Sequence, residues 1–314
     1  TNEASVMNAI DPSVMADPVT GKWWMHYGSF FGGLYCVELD PETGLPAEEG
    51  DQGHLTARRA NYQKDNLEAP EIIYNPDLKQ YYLFVSYDPL MTTYNVRVGR
   101  SDKAEGPFVD FSGVELKDTT NNFPILTAPY RFHNHPGWAG TAHCSVFTSD
   151  EGQYFMAHQG RLSPHNQMMD LHLRQVFFTP DGWPVVSPER YTGCVSRKFS
   201  AEDMAGEWEV IRIQEPAYER RLQAGQILWG EGQLKEEEWN VSHLLSLEKN
   251  GNLGENKGTW ELLEAKQLLS LTLEGEIINN LIIFAGHDWE NEKETVLFTG
   301  LDSCGRSIWG KRIK

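Results

Sequence analysis

The chain has 314 residues and a mass of 35.7 kDa, enough for two ordinary domains or one large domain with an appendage. Its 45 Asp plus Glu against 27 Lys plus Arg give a formal charge of −18, which argues against a nucleic-acid partner and against docking on an anionic membrane, since both need a basic surface. No run of about 18 apolar residues is present, which excludes a membrane-spanning helix, while ten Trp, twelve Tyr and fourteen Phe suit β-structure or flat ligands such as sugars.

The N-terminus, Thr1 to Ala4, has neither an initiator Met nor a basic and apolar leader, so the chain is expected to begin at a processed or truncated point. Three segments then repeat. The first runs Asp11-Pro12-Ser13-Val14-Met15, a turn over 17–21, and Trp23 to Tyr27. The second runs Glu68 to Tyr74, a turn over 75–77, and Tyr81 to Val85. The third runs His143 to Phe147, a turn over 149–152, and Tyr154 to His158. Each reads as a strand, a Gly/Pro/Asp turn and an aromatic-rich strand, the pattern of a β-hairpin. The repeat starts lie 57 and 75 residues apart, a spacing of about four short strands that fits β-propeller blades. Further strands are expected over Gly33–Leu39, Tyr94–Ser101, Leu171–Phe178 and Trp183–Val186.

A blade opens on its innermost strand, so Asp11, Glu68 and His143 are expected to face one axis together. Two carboxylates and an imidazole converging there make a catalytic or metal-binding constellation. Glu71 lies three residues beyond Glu68, and strand alternation predicts it on the opposite face as a solvated charge. From about Ala201 the character changes to short strands at Glu207–Ile213, Gly258–Leu263, Ile282–Ala285, Thr295–Thr299 and Ile308–Trp309. The chain is therefore read as residues 1–200, three propeller blades, followed by residues 201–314, a separate small β-barrel or sandwich. Propellers close with about four to eight blades, so roughly two are expected to be missing on the N-terminal side.

Cys36, Cys144, Cys194 and Cys304 are too widely spaced for a zinc cluster and read as free, buried thiols. His133, His135, His165 and His172 are irregularly spaced in loops, and a metal reading of them is set aside. The acidic run Glu236 to Glu238 reads as a solvated loop.

The stretch Asn8 to Ser13 followed by His26 to Gly33 resembles the third blade of the endo-α-1,5-L-arabinanases of glycoside hydrolase family 43. Leu67 to Pro70 with Ile72 to Tyr74, and Tyr82 to Ser86 with Tyr94 to Ser101, resemble their fourth blade. Gly140 to Val146 and Gly182 to Arg190 resemble the fifth, and the tail from Asp288 to Lys311 is similar to the C-terminal domain of the two-domain members. The resemblance implies a five-bladed propeller and hydrolysis of arabinan with inversion, which needs one carboxylic acid and one carboxylate base. By motif Glu68 is the general acid and Asp11 the carboxylate that orients it and tunes its pKa. His143 corresponds to the imidazole that contacts a hydrated calcium ion, whose shell waters would largely supply. Asn8, Ser29, Phe31 and Arg161 are candidates for binding sugar.

The family's base belongs to the first blade. Asp17, Asp40, Asp88, Asp102 and Asp110 open no inner strand and are rejected as replacements. The base, and with it activity, is therefore expected from an N-terminal segment or partner chain of about 130 to 170 residues, the length of two blades and a strand. Secretion is implied by the resemblance. The alternatives are a non-catalytic carbohydrate-binding propeller, or another family 43 specificity such as arabinofuranosidase or β-xylosidase.

Overall fold

A computed structural model describes residues 7–59, 66–118, 122–195, 197–215, 233–273 and 275–314. The first sheet runs in sequence order as β1 (Ser13–Ala16), β2 (Trp23–Tyr27), β3 (Leu34–Leu39) and β4 (His54–Ala57), all antiparallel. The second repeats this arrangement with β5 (Leu67–Asn75), β6 (Gln80–Tyr87), β7 (Asn95–Ser101) and β8 (Ile125–Thr127). The third is built on β12 (Tyr154–Leu162), which pairs with both β11 (Ser145–Thr148) and β10 (Trp138–Ala139); β9 (Tyr130–Arg131) adds beyond β10, while β13 (Asp170–Phe178) and β14 (Pro184–Val186) continue the other side.

The local chemistry of the first hairpin explains its register. The Asp17 carboxylate accepts the Val19 amide and the Tyr81 hydroxyl, and Gly21 takes φ of 75°, a left-handed turn position that glycine adopts without strain. The expected strands of the sheets are found with bounds shifted by up to two residues, apart from β12, which runs on to Leu162, while those expected at Ile282–Ala285, Thr295–Thr299 and Ile308–Trp309 lie within longer strands.

After α1 (Ala201–Met204), β15 (Gly206–Arg212) enters a closed eight-stranded barrel. β16 (Asn240–Val241) leaves the barrel path and pairs in parallel with β9, extending the third sheet. The barrel is completed by β17 (His243–Leu247), β18 (Asn252–Leu253), β19 (Gly258–Leu263), β20 (Leu268–Leu273), β21 (Glu276–Asp288), β22 (Lys293–Leu301) and β23 (Ser307–Arg312).

This barrel packs directly against the sheets. Ile211, Ile213 and Trp309 of the barrel region share one core with Tyr82, Tyr94, Tyr130 and Met156 of the sheets. Arg174, fully buried, stacks its guanidinium on both Tyr130 and Trp309.

Two expectations change. Cys36 and Cys144 are free and buried, but Cys194 is half-exposed and Cys304 exposed, the latter because it sits in the 302–305 turn held by Asp302. In the acidic run, Glu236 grips Arg131 at 2.9 and 3.0 Å, and Glu238 is buried and accepts the Lys235 amide. Glu236 and Glu237 remain exposed, as expected of all three, and Glu238 alone departs by being buried.

Where barrel and third sheet meet, Lys311 is fully buried among Glu189 (2.9 Å), Asp288 (3.0 Å) and Glu290, with its ammonium over the Phe132 ring. Burial is the chief cause pushing the Glu189 carboxyl up to about 8; Lys311 opposes that rise and Glu290 adds to it. Lys311→Met should cost about 3–5 kcal/mol in denaturant unfolding, since it strands buried carboxylates. A smaller loss would show that the carboxylates relax. Between the ordinary 4.5 and 8, the folded chain keeps a Glu189 proton that the unfolded chain has released. This group's contribution to stability therefore falls as pH rises through that window and levels off above it. Glu189→Gln should remove that part of the pH dependence of the urea midpoint; an unaltered slope would contradict it.

Candidate active site

The inner strands of the three sheets begin in the same way. Asp11, Ala69 and His143 carry positive φ of 54°, 50° and 55°, and each is followed two residues later by Ser13, Glu71 and Ser145. The backbone register is thus Asp11–Ala69–His143, and Glu68 stands one residue ahead of the position the repeat predicted. The physical reason is pairing: Glu68 already belongs to β5, opposite Ser86, and bridges to Ser29 of the first sheet.

Glu68 is 9% exposed, and both its oxygens are engaged. Ser29 Oγ donates to Oε2 at 3.0 Å and the Tyr94 hydroxyl donates to Oε1 at 2.5 Å. Burial, followed by the negative charge of Glu68, pushes the Tyr94 phenol well above its usual range, with Asp11 adding to the rise. Tyr94 therefore stays protonated and remains a donor. Both bonds fix the plane of the Glu68 carboxyl while leaving a further lone pair on each oxygen. The Ser29 loop depends on glycine: a Cβ on Gly28 would lie 2.6 Å from the Gly33 carbonyl oxygen, and one on Gly33 2.5 Å from that of Ala57.

A cleft of about 570 Å³ opens beside these strand ends. Asp11, Ala69, Pro70, Glu71, His143 and Ser145 line one side, and His158, Gln159, Met169, Asp170 and Leu171 of the β12–β13 hairpin the other. Glu68 adjoins this wall through Ala69 without forming part of it. Asp11 Oδ2 is buried with no hydrogen-bond partner, an unusual state for a carboxylate and one that a bound group would relieve. The exposed His143 donates its amide to Ser86 Oγ at 2.9 Å.

Calcium prefers six to eight oxygen ligands. Among the described residues no trio of potential ligands gathers at His143; the one trio with ligating spacing is Glu189, Asp288 and Glu290, where Lys311 already sits. The protein atoms at His143 thus do not form a primary calcium shell.

Glu71 is corrected. A β-bulge between Glu68 and Glu71 breaks the alternation, and Glu71 lines the cleft instead of facing solvent. The other candidates are dispersed. Phe31 is 56% exposed beside Phe30, and half-buried Asn8 uses its carbonyl to close a turn with Ile10. Arg161 is buried, donating to the Asn166 carbonyl at 2.7 Å and to Gln159 Oε1 at 3.3 Å. None of these three lines the cleft.

The rejected aspartates serve structure: Asp17, Asp40 and Asp110 accept backbone amides in turns, Asp102 accepts Gln80, and Asp88 pairs with buried Arg59. Tyr94 and Gln159 were not legible beforehand. Tyr94 reaches Glu68 across two strand pairings, and no sequence spacing records such a contact.

The glycosyl hydrolases family 43 model matches residues 2–184, and a model of a C-terminal lipocalin-like domain matches residues 188–310. An extracellular endo-α-(1→5)-L-arabinanase of Thermotoga petrophila is 30% identical over 330 residues, with 98% of this chain and 64% of that protein covered. Extracellular endo-α-(1→5)-L-arabinanase 2 of Bacillus subtilis is 27% identical over 327 residues, covering 97% and 64%. The chain thus spans 64% of the length of these two relatives. A crystal structure of endo-1,5-α-L-arabinanase from Thermotoga petrophila matches with a TM-score of 0.83 and 27% identity, over 100% of this chain and 69% of that one. Because the family model covers more than half of the chain, including the strands that carry Asp11, Glu68 and His143, this protein belongs to glycosyl hydrolase family 43, with propeller-like sheets followed by a lipocalin-like barrel.

Proposed function

We propose that the chain is the acid-bearing part of an inverting glycoside hydrolase that cleaves α-1,5-linked arabinan. The observation that carries this reading is the Glu68 carboxyl, buried and oriented by Ser29 and Tyr94 next to a cleft that holds the unpaired oxygen of Asp11. Glu68 protonates the departing glycosidic oxygen, and its anion is then received by the Ser29 and Tyr94 donors. The two named arabinanases, similar along nearly the whole chain, support arabinan as substrate, and their description as extracellular supports secretion.

Inversion needs a second carboxylate about 6.5–9.5 Å from the acid, with a water between them. In this reading the base arrives with N-terminal blades that complete a five-bladed propeller around the three sheets of residues 1–200, while residues 201–314 are the accessory domain. Apolar surface on both flanks supports that docking. Val14 on β1 is 48% exposed and Phe147 on β11 is 46% exposed. Calcium enters only as a hydrated ion touched by His143 through water, and no chemical step is assigned to it.

In the completed enzyme, Glu68→Gln should reduce turnover of linear arabinan by at least about a hundredfold, with binding of arabino-oligosaccharides little changed. Wild-type-like rates would remove Glu68 from the role. Asp11→Asn should lower turnover of linear arabinan by at least about tenfold with the fold intact; an unchanged rate would leave Asp11 purely structural. Chelator should lower both activity and Tm, and added calcium should restore them. Indifference of both to chelator would dismiss the ion.

A further inference from the structure

Glu71 has a role that the acid chemistry leaves unused. Its Oε2 accepts Ser13 Oγ at 2.9 Å, and its Oε1 accepts Ser145 Oγ at 2.9 Å and the Val146 amide at 3.0 Å. Ser13 Oγ also accepts the Ile72 amide at 3.2 Å. Ser13 lies on β1, Glu71 on β5 and Ser145 on β11, so one carboxylate joins the inner strands of all three sheets. These three residues are register equivalents, each two positions beyond the left-handed residue that opens its strand.

From this geometry we infer that Glu71 is a positioning residue: a carboxylate clasp that fixes the separation of Asp11 and His143 about Glu68. The inference rests on the hydrolase reading above. Ser13 is two residues from Asp11, and Ser145 two from His143, on short stretches already committed to strained backbone. A shift of either serine is passed directly to the group that faces the cleft. The bonds from Ser13 and Ser145 cross from one sheet to the next, so they set a spacing that the ladder hydrogen bonds within each sheet do not set. Glutamine preserves this arrangement: its amide oxygen can accept Ser145 and Val146, and its amino group can donate to Ser13, whose oxygen has a second lone pair for Ile72. Alanine removes all three bonds.

The test compares E71A and E71Q in the full-length enzyme on linear arabinan. E71A should lower kcat about tenfold to a hundredfold, because small displacements of a catalytic group are costly, with KM within about twofold of wild type. Measured per folded protein and well below the unfolding midpoint, the loss should persist, which mere loss of stability does not produce. E71Q should recover most of kcat. Should E71A fail to fold, S145A removes one donor and should show a smaller loss in the same direction.

Wild-type kcat in E71A, or equal impairment in E71A and E71Q, would overturn the clasp, the second outcome because it would assign the effect to charge. Hydrogen exchange of the Val146 amide, read without substrate, separates this inference from the functional reading. Retained protection in E71A overturns the clasp regardless of activity. Protection lost in E71A and regained in E71Q, in a wild-type protein that leaves arabinan intact, keeps the clasp and refutes the hydrolase reading.

Discussion

Three strands bring their N-terminal ends together, and the backbone turns sharply at one residue at or near each end. Asp11, Ala69 and His143 occupy the left-handed region, which disfavours residues with a Cβ by roughly 1–3 kcal/mol when the position is strained. None of the three is glycine, so the rest of the strand must hold the turn in place. Pro12 lies just ahead of β1 and Pro70 in the β5 bulge, two places where a missing N–H interrupts no ladder bond. From this constraint follow the cleft, the exposure of His143 and the unpaired oxygen of Asp11.

The second sheet departs from its neighbours in a way that matters for the chemistry. Its inner strand begins pairing before the left-handed residue, at Leu67 and Glu68, and then bulges before Glu71. The early pairing buries Glu68 against Ser29 and Tyr94, and the bulge turns Glu71 toward the cleft. One strand therefore supplies two carboxylates with different surroundings. One accepts a phenol and a hydroxyl in a buried position; the other sits half-buried among two serines and an amide.

The barrel is bound to the sheets by more than connectivity. Trp309 and Tyr130 meet edge to face at 5.3 Å beneath Arg174, and β16 carries the third sheet's ladder into the C-terminal region. Although the chain carries a large net negative charge, it buries Arg59, Arg97, Arg174 and Lys311. Lys311 faces three carboxylates and Arg59 pairs with Asp88, whereas Arg174 is satisfied by Tyr130, His158 and the Ser187 carbonyl. The His158 imidazole can accept from Arg174 because burial, and then the Arg174 charge, hold its pKa down to about 3 and keep it neutral.

Local patterns determined the hairpins, since turn residues such as Asp17 and Gly21 and aromatic runs such as Tyr81 to Val85 act within a few positions of one another. Motif order likewise pointed to Asp11, Glu68 and His143 before any geometry was known. The strands β17 and β20 were obscured by their leucine content: leucine is a strong helix former, so Leu268 to Leu273 carries little β-branched or aromatic signal even though Leu269, Leu271 and Leu273 alternate with Ser270 and Thr272. Nor did the sequence by itself place Glu71, because a strand's period of two holds only while the ladder is regular, and whether a bulge forms is decided by what lies opposite. Tyr94, Ser29 and Ser145 met their carboxylates only through packing of separate strands and sheets. Such contacts depend on how neighbouring sheets sit against one another, a property of the assembled core that residue spacing along the chain does not encode.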